Sequence, residues 1–468
     1  MSAVIQSKLA SASSSLTALA QGAPTRAIAF DAHRPASPEM ISLETFFAHV
    51  RALAARLPEA THAVNLCEDR YRFLVAFCAV ALRGQTTLLP PSRTRAAIDE
   101  VRALHPGSYC LGDGEPCGCA EAHLMPLSHY VALPDPLPQC DGPLPAIDDD
   151  ALVAIGFTSG STGTPKPNPK TWRNFRTSTM QNLAALAGLW PKNDDVMHVI
   201  ATVPPQHMYG MEMSVLLPLH GNVAVHGGRP FFPQDVAQAL HDAPAPRLLV
   251  TTPVHLRALV ESDIAWPPLA GIVTATAPLP QPLAASAEAR FGCEVREVFG
   301  STETCVIARR RTAREAAWTP LPGVQLTPQP DGTLVQAAHL EQPLLLADLM
   351  EVQPDGGFLL RGRQADLLEI AGKRASLSDL TRRLLAIPGV RDGIVFQLDD
   401  ADEYGVRRIA ALVVAPELHE RDILQSLRRS VDAVFLPRRL QRVDALPRNE
   451  TGKLPRAALL QLLQSSMR

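Results

Sequence analysis

The sequence is poor in the features that mark several common protein classes. No stretch approaches the ~18 unbroken apolar residues that a membrane-spanning helix needs, although 46% of the 468 residues are hydrophobic. Charge of one sign is not in excess. The 44 Lys and Arg oppose 47 Asp and Glu for a formal net charge of -3, which gives the molecule as a whole no field for nucleic acid. The eight cysteines include no CxxC pair, so reduced thiols are expected. Cys117 and Cys119 form a CxC in a glycine-rich stretch, but no further ligands cluster beside them, and a surface loop is expected. Internal repeats and low-complexity tracts are absent. The opening residues, MSAVIQSKLASASSSLTALAQGA, hold a lone Lys8 before an apolar run broken by serines. That pattern is not read as a signal peptide, and a cytoplasmic protein is expected.

What is present fits a large globular chain. The length exceeds one compact core and predicts two or three domains. The 42 prolines are spread along the chain, which predicts many turns rather than a disordered tail. Ser42 to Leu57 has helical apolar spacing, and Arg72 to Gly84 reads as a buried helix closed by glycine. Short apolar runs recur at ALVAIGF (Ala151 to Phe157), VMHVIATV, RLLVTT and AGIVTAT. Such runs, separated by helical patterns, predict buried parallel strands in an α/β architecture. A turn and strand at PDGGFLLRGR mark a second break. From Arg361 onward the chain carries 19 Lys and Arg against 14 Asp and Glu, about +5, leaving about -8 for the remainder.

Three stretches carry chemistry. TSGSTGTPK ends a predicted strand and offers unobstructed backbone N–H groups at Thr158, Ser159, Gly160, Ser161, Thr162 and Gly163, with hydroxyl donors and Lys166 beyond. Those are the needs of a polyphosphate, yet the spacing is not that of a P-loop, and a Ser/Gly turn is the plain alternative. FGSTE brings Phe299 to stack on a base, Gly300 for close approach, Ser301 and Thr302, and Glu303 as an oxygen ligand for Mg²⁺. PRNETGKLPR sets Lys453 on a glycine-containing loop before a predicted helix, where an ammonium can reach a charged reacting centre; a solvated surface lysine is the alternative.

In this order the motifs resemble those of the adenylate-forming superfamily, which spans acyl-CoA synthetases, adenylation domains and luciferases. The likeness runs from about Ala151 to Leu459 and takes in two further stretches, PPQHMYGMEMSVLLPLHGN and GRQADLLEIAGKRASLSDL. It implies an α/β fold: a large N-terminal body of several subdomains with parallel-rich sheets flanked by helices (1–362), and a small mobile α+β C-terminal domain (363–468) carrying the lysine. It implies ATP and Mg²⁺ as cofactors, activation of a carboxylic acid to an acyl-AMP, and transfer to a phosphopantetheine thiol of coenzyme A or a carrier protein. Lys453, Glu303 and Thr158 match the catalytic positions, and Asp348 and Arg363 match those that hold the ribose. His207, Met208, Met211, Ala275, Thr276 and Cys305 fall where relatives form the acyl pocket. Gly372, Lys373 and Arg374 fall at the thiol tunnel.

Two departures stand at the domain junction, where the family's hinge aspartate aligns with Ala365, beside Asp366, and its lysine with Glu369. The pocket candidates are apolar and small, which predicts an aryl or medium-chain acid and disfavours an α-amino acid. The continuation PKPNPKTW in place of PKG resembles ligases of aryl-polyene and xanthomonadin-type pigment clusters, which load an aromatic acid such as a hydroxybenzoate onto a carrier protein. Paired arginines in the basic C-terminal unit would steer an acidic carrier or the 3'-phosphate of coenzyme A alike. A ligase acting only on free coenzyme A, a catalytically silent nucleotide-binding scaffold and a P-loop ATPase remain as competing readings.

Overall fold

The computed structural model describes residues 15–30, 39–113, 129–159, 165–190, 195–363, 367–370, 373–401, 407–449, 452 and 454–465. Two sheets organise the body. The larger has nine strands, with Glu294–Ser301, Gly271–Thr274, Arg247–Thr251, Met197–Ala201, Val223–His226 and Ala27–Phe30 mutually parallel at its centre. Antiparallel strands border it, Cys305–Arg310 on one side and Met40–Ser42 on the other. The second sheet has six strands, in the order Pro165–Thr171, Leu152–Ser159, Thr86–Leu89, His62–Asn65, Tyr109–Asp113 and Tyr130–Leu133. All of its pairings are parallel except the first. The four apolar runs picked out in the sequence are therefore strands of these sheets, buried on both faces as continuous Val/Ile/Leu runs must be.

Helices close the layers. Leu43–Ala54 begins where Ser42 accepts a hydrogen bond from the Thr45 amide, a side-chain N-cap. The second expected helix spans Arg70–Leu82, capped by Asp69, so it starts one half-turn earlier than its apolar spacing indicates. The principal core lies between the sheets and unites these helices with Trp172, Phe175 and the segment 208–220. A second core packs the helices Pro233–Asp242, Pro253–Glu261 and Gln281–Phe291 on the other face of the large sheet.

Beyond the sheets come small antiparallel pieces, among them Gly332–Gln336 and the pair Asp348–Val352 with Phe358–Arg363. From Leu367 onward the chain builds an α+β unit: a hairpin, the helices Leu377–Leu385, Glu420–Arg428 and Arg456–Ser465, and a three-stranded sheet of Asp392–Ala401, Arg407–Val414 and Arg439–Arg442. It has two apolar cores of its own, one around Leu384, Val395 and Ile423, the other around Phe396, Leu412 and Leu463. No helix among the described residues is long and apolar enough to cross a membrane.

Candidate active site

The TSGSTG stretch joins two strands of one hairpin. Leu152–Ser159 leads into residues 160–164, and Pro165–Thr171 returns antiparallel, with Lys166 opposite Thr158. Gly160, Ser161, Thr162 and Gly163 lie outside the described residues, as does the side chain of Ser159. The return strand is the sheet edge, and proline occupies every second position at 165, 167 and 169. A residue without an N–H fits only the register that faces away from the partner strand. The prolines thus close the open edge to further pairing, and the backbone N–H groups of Lys166, Asn168 and Lys170 are the ones in register to face the partner strand. Lys166 is exposed, whereas Lys170 is buried.

FGSTE ends the strand Glu294–Ser301 and enters the turn to Cys305–Arg310, with Thr302 and Glu303 in the turn itself. The turn is tight: a Cβ added at Gly300 would sit 2.1 Å from the Cys305 carbonyl oxygen, and Cys305 itself has φ +58°. A non-glycine residue in this region persists only where its surroundings enforce it. Here the enforcement is visible residue by residue. Ser301 and Thr304 exchange hydrogen bonds, the Thr304 hydroxyl donates to the Cys305 carbonyl at 2.9 Å, and the His339 ring lies 2.6 Å from the Thr304 carbonyl. The Val306 amide donates to both oxygens of Glu212 at 3.1 Å.

The first two motifs meet at Glu303. Thr158 Oγ1 donates to Glu303 Oε1 at 3.3 Å, and Lys170 Nζ donates to the Glu303 carbonyl at 2.6 Å. Among the described residues Glu303 has no ion-pair partner, and among them no group of three or more His, Cys, Asp and Glu is gathered. One half-buried carboxylate beside a hydroxyl is no all-protein metal cage. It does fit Mg²⁺, which keeps several waters and takes one or two carboxylates together with substrate phosphates.

Phe299 packs one side of its ring against Trp318 and Phe358, at centroid separations of 5.5 and 6.2 Å, and stays partly exposed. Asp348 and Arg363 are cross-strand partners in register, with the Arg363 side chain outside the description. Met208 and Thr302 converge on the strand of the hairpin: a Cβ added at Gly156 would lie 2.7 Å from Thr302 Cγ2 and 3.1 Å from Met208 Cε. His207 precedes the first turn of helix there and is partly exposed. Of the other pocket candidates, Ala275 is buried, Thr276 is partly exposed with φ +80°, and Met211 and Cys305 are enclosed in the core, leaving no surface for a ligand in this conformation. Burial pushes the Cys305 thiol up to about 12, which makes it inert as a nucleophile.

Lys453 lies outside the described residues, but its neighbour Gly452 is placed: an added Cβ there would be 3.6 Å from Thr276 Oγ1 and 3.8 Å from Val254 Cγ2. The C-terminal loop thus rests on the body at a pocket candidate. Lys373 and Arg374 lie on the strand Lys373–Ser376, paired with Leu367–Ile370. Their side chains, Gly372, Ala365, Asp366, Cys117 and Cys119 are outside the description.

Sequence reasoning missed Lys170, Glu212 and His339. Glu212 is 1% exposed and opens a π-helical turn, Glu212–Leu216. Its carboxylate accepts from Ser178 at 2.7 Å and Asn182 at 3.0 Å besides Val306. Burial raises its pKa despite those donors and the nearby Lys170. The signal was available: a single carboxylate inside the apolar run MYGMEMSVLL has to be paired if that run is buried. His339, by contrast, gave no sequence signal; its contacts to Thr304 and Gln181 join residues far apart in the chain.

The structure thus combines an α/β body, a hairpin whose Thr158 meets the Glu303 carboxylate, and a C-terminal loop that rests on the body at Thr276 and Val254. The chain belongs to the AMP-binding enzyme family, whose model matches residues 20–333. It is 32% identical over 315 residues to a 4-coumarate–CoA ligase of Rhodobacter capsulatus, covering 66% of this chain and 76% of that one. A sulfoacetate–CoA ligase of Cupriavidus necator is 26% identical over 378 residues, 72% and 70% of the two chains. In fold it matches the ATP-bound MatB of Rhodopseudomonas palustris at a TM-score of 0.79 and 18% identity, over 96% of this chain and 98% of that one. The chain is therefore an enzyme of an AMP-forming ligase family, with ATP as its nucleotide and a small carboxylic acid as the kind of substrate.

Proposed function

We propose that this protein activates an aromatic carboxylic acid with ATP, forming an acyl-AMP and pyrophosphate, and then passes the acyl group to the phosphopantetheine thiol of a carrier protein. The observation that carries the activation step is the meeting of Thr158 with Glu303 at 3.3 Å; the C-terminal loop rests on the same body at Thr276. Attack of a carboxylate on the α-phosphate brings two anions together, so donors must be held where charge accumulates. In this reading Thr158 to Gly163 and Lys166 hold the phosphates, Phe299 packs on adenine, and Asp348 and Arg363 bind the ribose hydroxyls. Glu303 would hold Mg²⁺, which when bound screens the phosphate charge and lowers the repulsion. Lys453 bridges the two anions as the new bond forms. The C-terminal unit, 363–468, then turns about the junction so that Gly372 to Arg374 line the path of the thiol.

The acid is the finer part of the reading. Met208, Ala275 and Thr276 supply apolar or small walls, and the carboxylate that follows Met208 in the helical segment, Glu212, is taken up by Ser178, Asn182 and Val306. No acidic group among these candidates is left to hold an α-amino nitrogen, which supports an aryl acid such as a hydroxybenzoate. The relatives named above differ widely, one named for an aromatic acid and the other for a small sulfonated one, so the acid has to be measured. The carrier protein as acceptor rests on the PKPNPKTW continuation and on the basic C-terminal unit.

ATP–pyrophosphate exchange across a panel of benzoates, cinnamates and medium-chain acids tests the first step. Exchange is expected with a hydroxybenzoate; background rates with every acid favour a silent scaffold, and release of ADP in place of AMP removes the ligase reading. Offering coenzyme A and a holo-carrier protein in the same assay distinguishes the acceptors, with the carrier expected to become acylated.

A further inference from the structure

Lys170 is buried, with 5% of its surface exposed, on a strand edge where long charged side chains usually reach solvent. A β-bulge between Lys170 and Thr171 interrupts the pairing at this point. Its ammonium donates to the main-chain carbonyl of Glu303, 133 residues away in sequence, at 2.6 Å. The other strand of the same hairpin reaches the same residue, with Thr158 on the Glu303 carboxylate. One residue is thus gripped at its side chain and its backbone by the two strands that flank residues 160–164. Neither contact belongs to the general packing of the core, and an ammonium is costly to bury unless its hydrogen bonds do something a methylene would not.

We propose that Lys170 is a positioning residue for Glu303: its ammonium fixes the Glu303 peptide, so that the carboxylate is held in one orientation relative to the hairpin tip. This rests on the reading of Glu303 as the Mg²⁺ carboxylate. The hairpin then acts as a single frame for phosphate and metal, and its alternating prolines stiffen that frame by fixing φ at three positions of the return strand. Glu212 is buried nearby, where the charge of Lys170 helps to lower a pKa that burial raises. Glu212 in turn fixes the far end of the same turn through the Val306 amide.

The test measures binding directly. Mn²⁺ titrated into the full chain in the presence of α,β-methylene ATP, with free metal counted by electron paramagnetic resonance, gives an apparent metal affinity without turnover. Lys170→Met is expected to weaken Mn²⁺ binding about tenfold, the loss of one charge-assisted hydrogen bond, while KM for the acid stays unchanged. Because Lys170→Met leaves Glu212 unbalanced, the double variant Lys170→Met/Glu212→Gln is measured beside it. Recovery of the melting temperature without recovery of Mn²⁺ affinity supports positioning. Recovery of both, or wild-type affinity in Lys170→Met, overturns it. Glu303→Gln separates the two levels of the argument. Unchanged Mn²⁺ affinity in Glu303→Gln removes the metal reading and this inference with it, whereas a loss there and none in Lys170→Met removes the inference alone.

Discussion

Around the Glu303 turn the body buries a carboxylate, an ammonium and an imidazole, whereas the unit after Leu367 fills two cores with apolar side chains and leaves the charges of its described ion pairs near the surface. Glu212, Lys170 and His339 are each at most 5% exposed. In the C-terminal unit the described ion pairs, Arg382 and Arg383 with Asp379 and Arg448 with Asp392, keep solvent access on both partners. Buried polar groups contribute little net stability but admit few alternative arrangements. That is the property a site needs when it must hold a strained turn such as Ser301 to Val306. A unit whose proposed task is to move as one body needs only a sufficient apolar core.

The contrast can be broken most forcefully at the C-terminal core. Leu384→Ala removes a fully buried side chain and is expected to cost about 2–5 kcal/mol. Calorimetry should show the loss in the unfolding of that unit, while adenine nucleotide binding to the body persists. Lys453→Ala is the converse case. It is expected to lower pyrophosphate exchange about 10²- to 10³-fold, ~2.7–4 kcal/mol of transition-state stabilisation, with the melting curve unmoved; a rate near wild type would detach the C-terminal unit from the chemistry.

Acid sensitivity sharpens the comparison from the side of the body. Burial holds His198 and His220 down to about 4. A histidine whose folded pKa lies below its unfolded value stabilises the fold above the unfolded value and loses that contribution as pH falls through the folded one. Stability of the body should therefore decline between about pH 6.5 and pH 4. Both His220 ring nitrogens lack a hydrogen-bond partner, so His220→Phe should flatten this decline by up to about 3 kcal/mol, measured by urea unfolding at each pH. The smallest effect belongs to the surface. Asp379→Asn, which loosens two arginines, should cost about 0.2–1 kcal/mol and should cost less in high salt.

Much of the fold was legible because its signals are local. Strands buried on both faces have to be continuous apolar runs, so ALVAIGF and RLLVTT could be read as strands without knowing their neighbours. Ser42 marks a helix start where the apolar spacing places it, whereas that spacing begins the second helix at Arg72, two residues after the start that Asp69 caps. The meeting of TSGSTG with FGSTE was legible only through motif order, and Thr158 against Glu303 is its structural counterpart. Met211, proposed as a wall candidate, lies fully buried in the core, and sequence alone does not say which side of an apolar helix meets a cleft.

The two lysines of PKPNPKTW show where local reading stops. Sequence by itself determined the family, the sheets, the order of the motifs and a proline-stiffened segment after the glycine-rich loop. It pointed to Lys166, the nearer cation. Only the tertiary structure decided that Lys166 faces solvent while Lys170 is buried against Glu303. The reason is physical: strand alternation puts Lys166 and Lys170, four residues apart, on the same face, so what separates them is the acceptor each can reach, and the one Lys170 meets is supplied by a turn more than a hundred residues along the chain. Local propensity carries no information about that partner, and the packing of the two sheets alone brings it within reach.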